Sequence, residues 1–173
     1  MERALVVFES MFGQTETVAR AVAQGVAEVM PVDVVDVAHA PQTLRGHALV
    51  LAGGPTHAFS MSRASTRREA QTRGATQGSV DTGLREWLEA LGRHEDADVV
   101  TFDTRVTSVR RMPGSAARSA ARAARRHGLH EVARPESFYV QDVAGPLDDG
   151  EEQRATAWGR DVARASRAHH AHR

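Results

Sequence analysis

The segment Arg3-Ala-Leu-Val-Val-Phe-Glu-Ser-Met-Phe-Gly-Gln-Thr-Glu-Thr-Val18 opens the chain and decides how the rest of it folds. Residues 4–8 form a nearly unbroken apolar run, which is typical of a strand buried on both faces of a parallel sheet. From Val18 to Val26 the apolar residues recur at helical spacing. The sequence therefore predicts a strand, a short polar loop over residues 9–17, and a helix.

The loop over residues 9–17 has the chemistry of an anion site. The first N–H groups of a helix have no partner within the helix, and the helix dipole favours negative charge there. Ser10, Thr15 and Thr17 add hydroxyl groups, and Gln14 adds an amide. Because the loop contains neither Lys nor Arg, it suits a phosphate monoester held by neutral donors better than a triphosphate with its metal ion.

The composition is that of a soluble globular domain and excludes several classes of function. The chain has 173 residues, of which 41% are hydrophobic and 25% charged, and its formal net charge of 0 gives no general attraction to nucleic acid or anionic membranes. It has no cysteine, which excludes disulfides, thiolate nucleophiles and iron–sulfur clusters. All 22 basic residues are Arg, so mechanisms that need a lysine are excluded as well.

No apolar run approaches the roughly 20 residues that span a bilayer. The predicted first strand begins at once and leaves no room for a signal peptide. We therefore expect a cytoplasmic protein.

Strands and helices are predicted to alternate along the rest of the chain. Apolar runs predict strands at 32–37, 48–52, 99–103 and 135–140, and helical spacing predicts helices at 84–92 and 115–127 and from 148 onwards. Such alternation indicates one parallel sheet covered on both faces, forming a single domain over residues 1–165. Residues 63–82 are polar without a clear period, so we expect an extended, mobile excursion there. Residues 166–173 are expected to form a disordered tail.

Three loops resemble those of flavodoxin-like proteins. Ser10-Met-Phe-Gly-Gln-Thr15 is similar to their phosphate loop, Thr/Ser-x-Thr-Gly-x-Thr, although Phe12 stands where a hydroxyl residue is usual. Gly53-Gly-Pro-Thr-His57 resembles their second flavin loop, and Asp103-Thr-Arg105 resembles the start of their third. The resemblance implies a three-layer α/β/α sandwich with a five-stranded parallel sheet in the order 2-1-3-4-5. Ligands of this topology bind at the carboxyl ends of the strands.

The resemblance also implies FMN as the cofactor, with its phosphate at the first loop and its ring between the second and third. The flavin would do the redox chemistry, so no side chain is expected to be catalytic and no metal site is expected. The residues expected to contact FMN are Ser10, Met11, Phe12, Gly13, Gln14, Thr15, Pro55, Thr56, His57, Ala58, Phe59, Thr104 and Arg105.

Departures from the family pattern keep alternatives open. Many flavodoxins hold the ring between a Trp and a Tyr, whereas the second loop here offers only His57, Phe59 and Met61, and the third offers no aromatic residue. Phe59 could contact flavin or anchor its loop, and His57 could contact the ligand or be exposed. An electron-transfer protein is expected. The alternatives are a flavin-free binding or regulatory module and an FMN-dependent quinone or porphyrinogen oxidoreductase.

The arginines could serve a partner. Arg118, Arg122 and Arg125 share one helix face, which is either a docking surface for an acidic partner or a solvated face. The expected partner is a redox protein or a small acceptor. No aromatic residues alternate with these arginines, which disfavours nucleic acid. The histidines of the tail, His169, His170 and His172, could bind a metal adventitiously, but no metal site is predicted.

Overall fold

The computed structural model describes residues 2–92 and 97–172. Strands and helices alternate along most of the chain, as the sequence predicts. The strands are β1 (Arg3–Phe8), β2 (Val32–Asp36), β3 (His47–His57), β4 (Ser60–Met61), β5 (Asp98–Val106), β6 (His130–Glu131) and β7 (Glu136–Val140). The helices are α1 (Gln14–Ala27), α2 (Ala64–Thr72), α3 (Leu84–Ala90), α4 (Ala116–Arg126) and α5 (Glu151–Ala171).

The sheet has the predicted parallel order. Strand β1 lies between β2 and β3, and β5 follows β3. Both β6 and β7 pair with β5, the first at Asp98 and Val99 and the second from Phe102 to Val106. These two segments share one edge position, so the seven strands keep the five-position order 2-1-3-4-5. Strand β4 is antiparallel and pairs with the end of β3.

Helices cover both faces of the sheet, and the alternation of side chains along β1 shows why. Ala4, Val6 and Phe8 enter a core with helices α1 and α5, whereas Leu5 and Val7 enter the core on the opposite face with α3 and α4. A strand that is apolar on both faces must be covered on both faces. The three-layer α/β/α sandwich is confirmed.

Helices α1 and α5 pack closely because each has a glycine at the contact. A Cβ atom on Gly25 would lie 1.9 Å from the carbonyl oxygen of Thr156. A Cβ atom on Gly159 would lie 2.2 Å from the carbonyl oxygen of Val22. The two backbones therefore approach to a distance that no other residue type allows. This close contact holds α5 against α1, the helix that follows the first loop.

The extended excursion predicted over residues 63–82 is wrong for its first half. Residues Ala64–Thr72 form helix α2, whose buried side chains are Arg67 and Ala70. Apolar periodicity could not reveal this helix, because one of its two buried positions is an arginine. The guanidinium group of Arg67 takes the place of an apolar side chain by forming buried hydrogen bonds.

The disordered tail predicted over residues 166–173 is also wrong where the structure describes it. Helix α5 continues to Ala171, and the hydroxyl group of Ser166 donates to Asp98 Oδ2 at 2.7 Å. Polar contacts with Asp98 hold the last turns of α5, which the apolar pattern alone does not predict. Within residues 2–92 and 97–172, no helix combines the length and apolar character needed to cross a membrane.

Candidate functional site

The loop between β1 and α1 is held in shape by its own hydroxyl groups. Gly13 caps the helix with φ 96° and ψ −14°, a left-handed conformation that favours glycine. Ser10 Oγ accepts hydrogen bonds from the N–H groups of Gly13, at 3.1 Å, and Glu16, at 3.4 Å. The Thr17 hydroxyl group donates to the carbonyl oxygen of Gly13 at 3.1 Å. The loop is therefore rigid before any ligand binds.

Two backbone N–H groups at the start of α1 remain available. Among residues 2–92 and 97–172, the structure gives no acceptor to the N–H groups of Gln14 and Thr15. Free N–H groups at the positive end of a helix dipole form an anion site. Gln77, which the sequence analysis did not single out, donates its N–H to the carbonyl oxygen of Met11 at 3.2 Å. A Cβ atom on Gly13 would lie 3.8 Å from Gln77 Nε2, so this amide stands beside the loop.

The hydroxyl groups predicted to contact phosphate face inward. Ser10 and Thr15 are both buried. Thr15 Oγ1 lies 2.7 Å from Thr104 Oγ1, and this hydrogen bond ties the first loop to strand β5. Met11 is buried too, whereas Phe12 is half-buried and lines a cavity. The outward donors of the loop are therefore chiefly its backbone N–H groups.

The segment predicted as an irregular second loop is instead a β-hairpin. Strand β3 continues through Pro55 and Thr56 to His57 and pairs with β4 across a turn at Ala58 and Phe59. Ala58 has φ 48° and Phe59 has φ 61°, and both are positive angles that non-glycine residues rarely adopt. Such strained positions often lie at ligand sites. The turn lacks the Asn-Gly or Gly-Gly pair that would have predicted a hairpin.

A cavity of about 260 Å³ opens between the first loop, the hairpin and helix α2. Its size is close to the lower end of small-molecule pockets, roughly 300–1,000 Å³. Four of the residues expected to contact FMN meet there, together with five that lie outside that set. The cavity is lined by Phe12, Thr56, His57, Ala58, Thr66, Glu69, Ala70, Arg73 and Val143.

His57 is held neutral at the wall of this cavity. Its Nδ1 atom lies 3.0 Å from the Thr66 hydroxyl oxygen on helix α2. Burial of the ring, and to a lesser extent the positive charge of Arg67, lowers the pKa of His57 below its ordinary value. The imidazole therefore offers hydrogen bonds to a ligand without adding positive charge at neutral pH.

Thr104 and Arg105 lie within strand β5, although the sequence analysis placed them at the start of a loop. The Arg105 guanidinium donates from Nη2 to the carbonyl oxygens of Val109, at 2.7 Å, and Met112, at 3.1 Å. It closes the loop that follows β5, and its side chain is largely buried. The third loop thus begins after Val106, and Arg105 supports it from beneath.

Exposed apolar side chains gather at this end of the sheet. In the part of the chain that the structure describes, the large apolar residues that remain exposed are Phe59 at 43%, Met112 at 50% and Val143 at 47%. Each lies on a loop that follows the carboxyl end of a strand. A Cβ atom on Gly114 would lie 2.7 Å from the Phe59 carbonyl oxygen, so the hairpin and the third loop touch. Both tryptophans pack in the two hydrophobic cores, so neither lies beside the cavity.

Helix α2 is fixed by a buried polar network beneath the cavity. Glu9 accepts hydrogen bonds from the Ser62 hydroxyl group and from the N–H of Leu84 at 2.7 Å. The Arg67 guanidinium donates to Ser62 Oγ at 2.8 Å and forms an ion pair with Glu86. Burial raises the pKa of the Glu9 carboxyl group above its ordinary value. Burial likewise raises the pKa of Asp103, whose Oδ2 accepts the N–H of Ala117 at 2.8 Å.

Comparisons with known proteins agree with this geometry. A family model described as Flavodoxin matches residues 6–97, more than half of the chain. Comparison with curated protein sequences finds no match.

Several solved structures have the same fold. Flavodoxin 2 from Bacillus cereus is 14% identical, with a TM-score of 0.66 over 96% of this chain and 98% of that one. A flavodoxin from Streptococcus pneumonia TIGR4 is 16% identical, with a TM-score of 0.65 over 96% and 98%. The flavodiiron protein from Giardia intestinalis is 15% identical, with a TM-score of 0.62 over 97% of this chain and 37% of that one. The first loop, the order of the strands and the family model all agree. The chain belongs to the flavodoxin family, whose fold is a flavin-binding, electron-transfer fold.

Proposed function

We propose that this protein binds FMN and transfers electrons. One observation carries the proposal: the N–H groups of Gln14 and Thr15 have no acceptor among the described residues, and the neighbouring Phe12 lines a cavity that the exposed Val143 also lines. A ligand that fits both features has an anionic end and a flat apolar end. A flavin mononucleotide has this shape, and membership of the flavodoxin family implies a flavin cofactor.

The phosphate of FMN would bind at the start of α1. The N–H groups of Gln14 and Thr15 supply neutral donors, and the side-chain amide of Gln77 lies beside the loop, whereas that of Gln14 lies against Gly145. A charge-assisted hydrogen bond contributes about 1.5–3 kcal/mol. A negative charge at a helix N-terminus gains roughly 0.3–1 kcal/mol more. Backbone donors fixed by Ser10 and Gly13 therefore suffice to hold a phosphate monoester without a cation.

The ring of FMN would be held by the hairpin and the loop after β5. Phe59 provides the aromatic contact, and Met112 and Val143 provide further apolar surface. These side chains orient a flat ligand and exclude water from it, while His57 and Thr56 offer hydrogen-bonding groups at the cavity wall. When bound, FMN supplies the electron-accepting ring system, and the protein tunes it through nearby hydrogen bonds and charges.

The set of aromatic residues implies that FMN dissociates more readily than it would from a Trp–Tyr sandwich. An aromatic pair contributes about 0.5–1.5 kcal/mol beyond its buried area. With Phe59 as the aromatic residue of the two ring-binding loops, one such pair is lost. We therefore expect a preparation that is partly apo after purification and turns yellow when FMN is added.

The redox partner in this proposal carries acidic groups or is a small acceptor. Arg110 and Arg111 are exposed beside Met112, at the edge where the ring of FMN would lie. Within the described residues neither forms a salt bridge. Charges around a redox centre steer an oppositely charged partner and make its association rate fall as salt increases. Electron transfer that slows with salt, and slows further when both arginines are replaced by glutamine, would support this partner.

Titration of the apo-protein with FMN, followed by quenching of flavin fluorescence, tests the proposal. The wild-type protein should bind FMN saturably, and a Ser10→Ala/Thr15→Ala double variant should bind at least tenfold more weakly because the loop loses its internal hydrogen bonds. A Thr43→Ala/Ser65→Ala double variant is the control, since it removes two exposed hydroxyl groups outside the loop. Circular dichroism checks that each variant is folded.

The absence of saturable binding at tens of micromolar FMN would overturn the proposal. The chain would then be a flavin-free module that keeps the fold of its family. Equal affinities of the folded wild-type protein and the folded Ser10→Ala/Thr15→Ala variant for FMN would instead mean that the phosphate does not bind at the first loop.

A further inference from the structure

A second cluster of reactive side chains lies at the opposite end of the sheet. Asp98 is the first residue of β5, and its side chain is 1% exposed. It is surrounded by His130 of β6 and by Ser166, His169 and His170 of helix α5. The proposed FMN site lies at the carboxyl ends of the strands, so this cluster is separate from it.

The nitrogen atoms of three histidines converge on one carboxylate. Asp98 Oδ1 lies 3.1 Å from His169 Nδ1 and 3.3 Å from His130 Nδ1. Asp98 Oδ2 lies 3.2 Å from His170 Nε2 and accepts a 2.7 Å hydrogen bond from the Ser166 hydroxyl group. The ligand atoms of Asp98, His169 and His170 all lie within 4.8 Å of one another.

His170 provides a second observation that points to a ligand at this cluster. Its Nε2 atom is buried and has no hydrogen-bond partner among the described residues. Although Nε2 lies 3.2 Å from Asp98 Oδ2, their contact is not aligned as a hydrogen bond. A buried polar atom without a partner is costly, so this nitrogen is expected to be satisfied by a further group.

The spacing of the donor atoms suits a four-coordinate metal ion. Zinc binds nitrogen at about 2.0–2.1 Å and carboxylate oxygen at about 2.0–2.2 Å, so neighbouring ligands in a tetrahedral site lie roughly 3.3–3.5 Å apart. The distances from Asp98 oxygens to His169 Nδ1 and His170 Nε2, 3.1 and 3.2 Å, are close to this value. Imidazole and carboxylate together favour zinc and its neighbours in the transition series over calcium or magnesium.

We propose that Asp98, His169 and His170 bind a divalent transition-metal ion of the zinc class, with the fourth position open to a water molecule. Ser166 would support the site by fixing the orientation of the Asp98 carboxylate, as outer hydrogen bonds to metal ligands do.

The ion would join the end of helix α5 to the start of strand β5, a sequence separation of 71 residues between Asp98 and His169. Its role is therefore structural: it fastens the last turns of α5, which few apolar contacts hold.

Calorimetric titration of the full chain with zinc chloride, after treatment with a chelator, tests the site. One equivalent of zinc should bind and should raise the midpoint of thermal unfolding. Residues that only support metal ligands typically change metal affinity by roughly 10–100-fold. Ser166→Ala should lower the affinity for zinc by a factor in that range, and His170→Ala should lower it by more. His172→Ala is the matched control: it is the exposed histidine that caps the end of the same helix, and its Nδ1 contacts the carbonyl oxygen of Ala168.

Cobalt(II) provides a spectroscopic readout of the coordination geometry besides affinity and thermal stability. The wild-type protein should give the intense visible absorption of four-coordinate cobalt, and the His172→Ala variant should give the same spectrum. Zinc binding that is unchanged in a folded His170→Ala variant, or lost in His172→Ala, would overturn the proposal. Failure of the wild-type protein to bind zinc saturably would do the same, whatever the outcome with FMN.

Discussion

Replacing Arg67 with alanine should lower the free energy of unfolding by about 3 kcal/mol. The Arg67 side chain is fully buried, and its guanidinium donates to Ser62 Oγ at 2.8 Å and to the carbonyl oxygen of Val80 at 2.7 Å. It also forms an ion pair with Glu86. Since these contacts fix helix α2 to the end of β4 and to α3, the substitution also removes the support of one wall of the cavity.

The magnitude follows from what the substitution leaves behind. Removing one partner of a buried ion pair typically costs about 3–5 kcal/mol, because the other charge stays buried without a partner. The side chain of Glu86 is 34% exposed and can regain water, which places the cost at the low end of that range. Glu9 adds to it, because removal of the nearby positive charge raises its pKa further. Against a total stability of about 5–15 kcal/mol, the loss is large.

Urea unfolding measures this loss directly. The urea midpoint of the Arg67→Ala variant should fall, while the slope of its unfolding free energy against urea concentration stays unchanged. This combination identifies a change in stability alone. Arg68→Ala is the matched control, since Arg68 is the exposed neighbour on the same helix, and its cost should stay within about 0.5 kcal/mol. A loss below 1 kcal/mol for Arg67→Ala, or an equal loss for Arg68→Ala, would refute the reasoning.

Three further variants test other parts of the structure. Because burial raises the pKa of Glu9, the wild-type protein should lose stability relative to Glu9→Gln as the pH rises from about 4.5 to the folded-state pKa, as urea midpoints will show. Ala58→Gly should raise the free energy of unfolding by about 1 kcal/mol in thermal melts, because glycine adopts φ 48° without strain. Gly159→Ala should lower it by about 2 kcal/mol, since a Cβ atom would lie 2.2 Å from a carbonyl oxygen of α1.

Each of these three predictions has an outcome that would contradict it. An unchanged pH dependence in Glu9→Gln, with exposed Glu89→Gln as the control, would mean that Glu9 is not the titrating group. A loss of stability in Ala58→Gly would contradict the left-handed turn. Gly159→Ala should gain about 1 kcal/mol if helix propensity alone decided the outcome, so a gain would contradict the close approach of α1 and α5.

Apolar patterns in the sequence predict most of the sheet. Residues 4–8, 49–52 and 99–103 are buried, and all of them except Thr101 and Asp103 are apolar, so they identify the central strands. The helical spacing after Val18 likewise places α1, and the short polar segment between strand and helix places the first loop. Each of these strands, helices and loops can be predicted from the apolar periodicity of its own residues.

The elements that the sequence analysis missed are held by polar or strained contacts. Helix α2 turns Arg67 inward, and the end of α5 is held by Ser166 and His169 on Asp98. The hairpin turn at Ala58 and Phe59 uses residues that rarely adopt positive φ. Arg67 bonds to residues 5 to 19 positions away, and the end of α5 bonds to a residue 68 to 71 positions away. Apolar periodicity reveals none of these polar contacts. The cavity wall formed by α2 was missed for the same reason.

The measurement that tests the account most directly compares the affinities of the wild-type apo-protein for FMN and riboflavin, which differ only in the phosphate. Two charge-assisted hydrogen bonds from the N–H groups of Gln14 and Thr15 would contribute about 3 kcal/mol or more. FMN should therefore bind at least about a hundredfold more tightly than riboflavin. Equal affinities for the two ligands would contradict a phosphate site at the start of α1 and, with it, the central claim.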